Sequence, residues 1–216
     1  LMMIRNYPVT RISVNPQTMN QETLDIIGRR HTVQETEQAF KLARECGFDN
    51  INMDLIVGLP GEDKAMVEHT LEEVRRLAPD SLTVHSLAVK RAARLNMFKD
   101  KYQEMTFENN QEIMDMTMKT AYEMEMGPYY LYRQKNMKGN FENVGYAKVD
   151  KAGIYNILIM EEKQPIIALG AGGSSKLVFD HGKRIERVEN VKDVTNYISR
   201  IDEMIERKRT GIQTWL

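Results

Sequence analysis

The first hundred residues alternate short apolar segments with longer amphipathic ones, and that alternation narrows the fold more than any other feature of the sequence. "TRISVN", Thr10 to Asn15, reads as a short strand with alternating apolar positions. "QETLDII" then reads as a helical turn with Asn20 as its cap. Thr32 to Cys46 predicts an amphipathic helix with Val33, Ala39, Phe40, Leu42 and Ala43 on its apolar face, and Gly47 ends it. In "INMDLIVGLPGE", Ile51, Met53, Leu55 and Val57 alternate with Asn52, Asp54 and Ile56, a strand that runs into Gly-Leu-Pro-Gly. Lys64 to Leu77 carries Met66, Val67, Leu71, Val74 and Leu77 at helical spacing, Pro79 and Asp80 break it, and Ser81 to Val89 is a third strand. This succession of strands and helices implies parallel strands joined by right-handed crossovers. Ligands of such folds gather at the carboxyl ends of the strands. Gln17, Asp54 and Ala88 fall at that end of the sheet.

Asp54 is the anomaly in this pattern. A carboxylate on a strand of such a sheet is expensive to bury without a partner, so it has either a structural partner or a ligand. The chain has 216 residues, enough for one large domain or one with a small companion. Its net charge of −1 gives no global electrostatic case for nucleic acid or an anionic membrane. No apolar run suggests a transmembrane span, and "LMMIRNYPVTR" has too short an apolar region for a signal peptide, so a cytoplasmic location is expected. Cys46 is the one cysteine: it forms no internal disulfide, reads as a small apolar residue, and cannot alone hold an iron–sulfur cluster. The fifteen methionines, many between Met97 and Met137, suit core filling or a wall around a large apolar ligand.

Beyond residue 100 the pattern changes to an α+β appendage. Lys90 to Asp100 reads as irregular, and Phe107 to Met126 as a long helix stopped by Gly127-Pro128. "YYLYRQKNMKGNFENVGYA" reads as extended chain and loops. "IYNILIMEEKQPIIALGAGG" reads as two strands with a turn at Glu161 to Pro165, and "SKLVFDHGKRIERVE" as a hairpin around His181-Gly182. Val191 to Arg209 predicts a terminal helix with Val194, Tyr197, Ile198, Ile201, Met204 and Ile205 on one face.

"GAGGSSK", Gly170 to Lys176, departs from a phosphate-binding loop, because Ser-Ser separates the last glycine from the lysine and a strand, not a helix, follows. Its glycines suit a tight turn or a close backbone approach to a ligand. His31, His69, His85 and His181 have no metal-ligand spacing. Tyr129, Tyr130, Tyr132, Arg133 and Lys135 would suit a large planar anion, although tyrosines also pin packed elements together.

"RISVNPQTMNQETLDIIGRRH", "ARECGFDNINMDLIVGLPGE" and "APDSLTVHSLA" together resemble the oxygen-independent coproporphyrinogen III dehydrogenase (oxidase) family of radical S-adenosylmethionine (SAM) enzymes. "PYYLYRQKNMKGNFENVGYA" and "YNILIMEEKQPIIALGAGGSSK" resemble its anaerobic Gram-positive branch. The resemblance implies an α/β fold: the second half of a radical-SAM partial (β/α)6 barrel over residues 1–100, then a smaller α+β C-terminal domain over 101–216. It implies SAM contacts at Gln17, Arg29, Asp54 and Ala88, with Asp54 aimed at SAM or at Arg29. Tyr130, Arg133 and Lys135 become candidates for binding the substrate, coproporphyrinogen III, whose propionates need cations. The implied reaction is oxidative decarboxylation of two propionates to vinyl groups, giving protoporphyrinogen IX, with a 4Fe–4S cluster and an electron donor to it. The C-x3-C-x2-C cluster motif is absent from these residues. Its ligands are expected upstream, in a longer parent enzyme of which this chain is an inactive piece. Related proteins of the same fold are haem-binding chaperones, and a non-catalytic partner-binding domain is a third alternative.

Overall fold

A computed structural model of the chain describes residues 1–87, 109–132 and 141–215. They form two compact units, Leu1–Gly153 and Ile154–Leu216. The division therefore falls after Gly153, beyond the change in sequence pattern near residue 100.

The first unit runs α1 (Met2–Arg5), β1 (Ile12–Ser13), α2 (Gln21–Ile26), α3 (Val33–Glu45), β2 (Ile51–Val57), α4 (Lys64–Leu77), β3 (Ser81–Ser86), α5 (Gln111–Glu123), β4 (Gly127–Tyr132) and β5 (Asn143–Ala147). Helix boundaries follow from capping chemistry. Thr32 and Glu35 form a reciprocal capping box at the start of α3. The Asp63 side chain accepts from the Met66 N–H to open α4, and Ala78 closes it in the left-handed conformation before Pro79. Asn110 caps α5 in the same way as Asp63. Asn20 occupies the cap position of α2, yet its side chain does not cap the helix.

The strands form one sheet in the order β1-β2-β3-β5-β4. β1, β2 and β3 are parallel, as the alternation requires, and the two later strands add antiparallel. Two strands from the region read as an appendage thus extend the first sheet. β1 pairs with β2 alone among the described strands, so it lies at the edge.

The two faces of this sheet differ in chemistry. Ile51, Met53, Leu55, Val57, Leu82, Val84 and Tyr146 are buried in one cluster with Phe40 and Ala43 of α3, Val67, Leu71 and Val74 of α4, and Ile113 and Ala121 of α5. The other face carries Ser13, Asn52, Asp54, Ser81, Thr83 and His85, which strand register sets side by side. Gly145, opposite Thr83, belongs to the same face, and the Tyr130 ring lies over it. A Cβ at Gly145 would stand 2.0 Å from the Tyr130 ring, so only glycine lets that ring lie down.

The second unit consists of α6 (Ile154–Glu161), a hairpin of β6 (Ser174–Phe179) and β7 (Arg184–Glu189), α7 (Val194–Ser199) and α8 (Ile201–Trp215). The hairpin turns through Asp180, His181 and Gly182, all at positive φ, where sequence placed it. "IYNILIM" is helix rather than strand. A short continuous apolar run has no period that separates the two, and of the second strand expected before Gly173 the described residues show a single bridge, Ile166 with Lys176. The terminal helix is two helices, broken at Arg200. The restart interrupts the expected stripe: Met204 is buried, whereas Val194 and Ile198 are exposed.

The glycines of "GAGGSSK" form a turn. Their N–H groups are already bonded within the unit: Gly170 to the Tyr197 hydroxyl, Gly172 to Val191 O and Gly173 to Gly170 O.

Candidate functional site

Two loops meet at the carboxyl ends of β1 and β2. Leaving β1, the chain turns at Pro16 and places Gln17 in the left-handed region, φ 69°. A non-glycine residue there costs about 1–2 kcal/mol unless surrounding bonds fix it. The Gln17 N–H donates to Asp54 O at 3.0 Å, and Gln17 O accepts from the Ile56 N–H at 2.9 Å. This bridge beside Leu55 brings Gln17 to the strand that bears Asp54. The second loop, Gly58-Leu59-Pro60-Gly61, uses both glycines at positive φ to leave β2 sharply.

Asp54 lies on the polar face, half-buried, away from the helices. Its Oδ1 accepts from Asn52 Nδ2 at 2.6 Å. The neutral Asn52 amide is thus its partner. Asn52 is itself buried, with Oδ1 accepting from the Ser81 and Thr83 hydroxyls at 3.1 and 3.2 Å. Arg11 Nη2 donates to Ser81 Oγ at 3.0 Å and extends this ladder across the sheet. Arg29 follows α2 with an exposed side chain and makes no ion pair with Asp54 among the described residues. Ala88, Arg133 and Lys135 lie outside the described residues.

The same face ends in an aromatic cluster. Tyr130 and Tyr132 stack with centroids 6.1 Å apart, and Tyr132 meets His85 edge-on at 6.4 Å. The Tyr132 hydroxyl approaches His85 Nδ1 at 3.5 Å. Burial holds the His85 imidazole below its usual pKa, and the nearby Asp54 charge opposes that shift. Burial pushes the Tyr130 phenol up to about 12, and a hydrogen bond with Thr83 opposes the rise. At neutral pH His85 therefore presents a neutral imidazole and Tyr130 a neutral phenol beside Asp54.

Beneath the two loops sits Glu62, 2 % exposed. Its Oε1 accepts from the Thr18 hydroxyl at 2.5 Å and from Asn20 Nδ2 at 3.0 Å. Burial raises its carboxyl pKa, and these hydrogen bonds oppose the rise without cancelling it. Asn52, Glu62 and His85 were missed as site residues by sequence reasoning. Asn52 and His85 carried a signal in their alternation with apolar neighbours, but Glu62 carried only its position after the Gly-Leu-Pro-Gly turn. Cys46 lies at the C-cap of α3, partly buried against the core. Among the described residues no group of three His, Cys, Asp or Glu could hold a metal ion.

Residues 1–74 match the radical SAM superfamily. The chain is 44 % identical over 208 residues to the oxygen-independent coproporphyrinogen-III oxidase-like protein HemZ of Bacillus subtilis, covering 96 % of this chain and 42 % of that protein. It is 36 % identical over 90 residues to the heme chaperone HemW of Bacillus subtilis, covering 42 % of this chain and 24 % of that protein. Among solved structures, coproporphyrinogen III oxidase (HemN) from Escherichia coli superposes with a TM-score of 0.63 at 20 % identity, covering 93 % of this chain and 45 % of that one. The chain thus spans less than half the length of these relatives. The α/β sheet with its three parallel strands has the fold of that solved structure, and in sequence the chain is similar to radical SAM proteins of the coproporphyrinogen oxidase-like kind.

Proposed function

We propose that this chain is part of an oxygen-independent coproporphyrinogen III dehydrogenase, contributing the SAM-binding end of the sheet. The polar face carries this reading, with Gln17 bridged to the strand of Asp54 at the carboxyl end of the parallel strands. That face fits SAM in kind: a carboxylate without a cationic partner among the described residues, and phenols for the remaining polar groups, with the Gln17 carboxamide, whose Nε2 donates to Asn15 O at 3.4 Å, beside them. Asp54 accepts hydrogen bonds from the donors of SAM, Gln17 fixes its orientation, and Arg29 and the backbone of Ala88 complete the contacts. Tyr130, Arg133 and Lys135 are the candidates for binding the substrate. SAM, when bound, supplies the radical that removes hydrogen from a propionate, and the chain's own residues orient it and keep water out.

The 4Fe–4S cluster that the superfamily uses does not fit this chain. One thiol in the sequence falls short of the three or so that such a cluster needs. Its ligands are assigned to an upstream segment of a longer protein, so the isolated chain is inactive. The test is SAM binding by the full-length protein. Asp54→Asn turns a charge-assisted hydrogen bond into a neutral one, and affinity should fall about tenfold, or roughly 1–2 kcal/mol, while the melting temperature holds. Unchanged affinity would make Asp54 a purely structural member of the Asn52 ladder.

Haem chaperone activity is the second reading, supported by the relatives that bear that name. Protoporphyrinogen formation by the full-length protein favours the dehydrogenase; haem transfer without decarboxylation favours the chaperone.

A further inference from the structure

Pro16 to Asn20 must hold Gln17 in a left-handed conformation with no glycine to ease it. Such strain persists only where the surroundings over-determine the backbone. Those surroundings are a buried polar cluster drawn from three segments. Thr18 and Asn20 come from the loop itself, Thr70 and the Met66 carbonyl from α4, and Glu62 from the turn after β2. The Thr18 hydroxyl donates to Glu62 Oε1 at 2.5 Å and accepts from the Asn20 N–H at 3.2 Å. The Asn20 side-chain amide donates to Glu62 Oε1, to Thr70 Oγ1 at 3.1 Å and to Met66 O at 3.0 Å. The Met19 N–H donates to Thr70 Oγ1 at 3.1 Å. This explains why Asn20 stands at a cap position and does not cap.

An apolar side chain would fill the Glu62 site at lower cost, because burying a carboxyl is favourable only when it is hydrogen-bonded. Its hydrogen bonds to Thr18 and Asn20 run to the loop after β1, on both sides of Met19. We propose that Glu62 is a positioning residue: its buried carboxyl ties the turn after β2 to the loop after β1, and so fixes Gln17 against the strand that carries Asp54. The consequence for SAM rests on the function proposed above; the consequence for the backbone does not.

Amide hydrogen exchange on this chain tests the backbone claim directly. The two bridge amides are Gln17 N–H and Ile56 N–H. In Glu62→Ala their protection should fall about tenfold, while amides inside α4 and between β2 and β3 keep theirs. Glu62→Gln, which retains the acceptor oxygen, should restore protection. Equal loss at every amide, or no loss at Gln17 and Ile56, would overturn the proposal. Should Glu62→Ala fail to fold, Thr18→Val decides: it removes the donor, leaves the carboxyl in place, and must produce the same selective loss. SAM affinity of the full-length protein is read separately. Selective loss of protection with SAM affinity unchanged, both here and in Asp54→Asn, would keep Glu62 as the loop's anchor and discard the SAM reading. Reduced affinity in Asp54→Asn with the bridge amides unmoved in Glu62→Ala would do the reverse.

Discussion

The two faces of the five-stranded sheet are built from the same strands by side chains one residue apart, yet they are held by different forces. On one, Leu82 and Val84 pack without exposure against the helix layer. On the other, Ser81, Thr83 and His85 join hydrogen bonds, an aromatic stack and a carboxylate. The first face stabilises by removing apolar area from water, and its residues are interchangeable within limits of volume. The second gains little net stability per bond, because each bond replaces one to water. Its geometry is specific instead, and specificity is what a binding surface requires.

Neighbouring residues on β3 give the largest contrast. Leu82→Ala should cost about 2–5 kcal/mol, since it opens a cavity in a fully buried site. Thr83→Val keeps the volume and removes one hydroxyl from Asn52 Oδ1, which Ser81 still serves, so the cost should be about 1 kcal/mol. Urea denaturation measures both. Equal losses would mean that the polar face is as much a core as the apolar one.

Gly145→Ala attacks the polar face by volume. The added Cβ would overlap the Tyr130 ring, and expelling the ring should cost about 1–3 kcal/mol. The loss of the Tyr130–Tyr132 stack should show in near-ultraviolet circular dichroism. Retention of both signal and stability would mean that the ring finds another place on the sheet.

How far these faces were legible differs along the chain. In Ile51–Val57, alternation through Asn52 and Asp54 announced both the strand and its two chemistries, because the side-chain period of a strand is two. Ile154–Glu161 is equally apolar but has no such period, and helix and strand then read alike. The Gln17–Asp54 neighbourhood was visible as strand-end positions. Its anchor was not: Thr18 and Glu62 stand 44 residues apart, and no local pattern predicts that a carboxyl will be buried there. Nor did sequence show that β4 and β5 would bring Tyr130 and Tyr132 onto the face of the first three strands, because antiparallel addition across a long connection leaves no periodic trace.

Titration separates the faces again, since only polar groups respond. Burial raises the Glu62 pKa, so the folded chain holds its proton where the unfolded chain has lost it. Stability is then fully present below the unfolded value of 4.5 and is lost as pH rises through the folded value. Glu62→Gln has no proton to lose, so its stability should decline less over that window. Parallel curves for the two proteins would show that the carboxyl is already ionised when folded.

His85 runs with the opposite sign and yields the smallest effect. Its folded pKa is lowered, so the unfolded chain binds the proton first as pH falls below 6.5, and stability declines from there to the folded value. The Asp54 charge opposes the lowering across the register step between β2 and β3. Asp54→Asn removes that opposition, and the His85 pKa should fall further, read from its imidazole proton shifts against pH. The apolar face offers a control: Leu55→Met changes a neighbour of Asp54 on β2 whose side chain points to the helices, and should leave the titration in place. A His85 pKa that ignores Asp54→Asn would mean that solvent screens the two groups from one another. The carboxylate, imidazole and phenols would then be separate surface groups, and the polar face would lose its claim to act as one electrostatic unit toward a ligand.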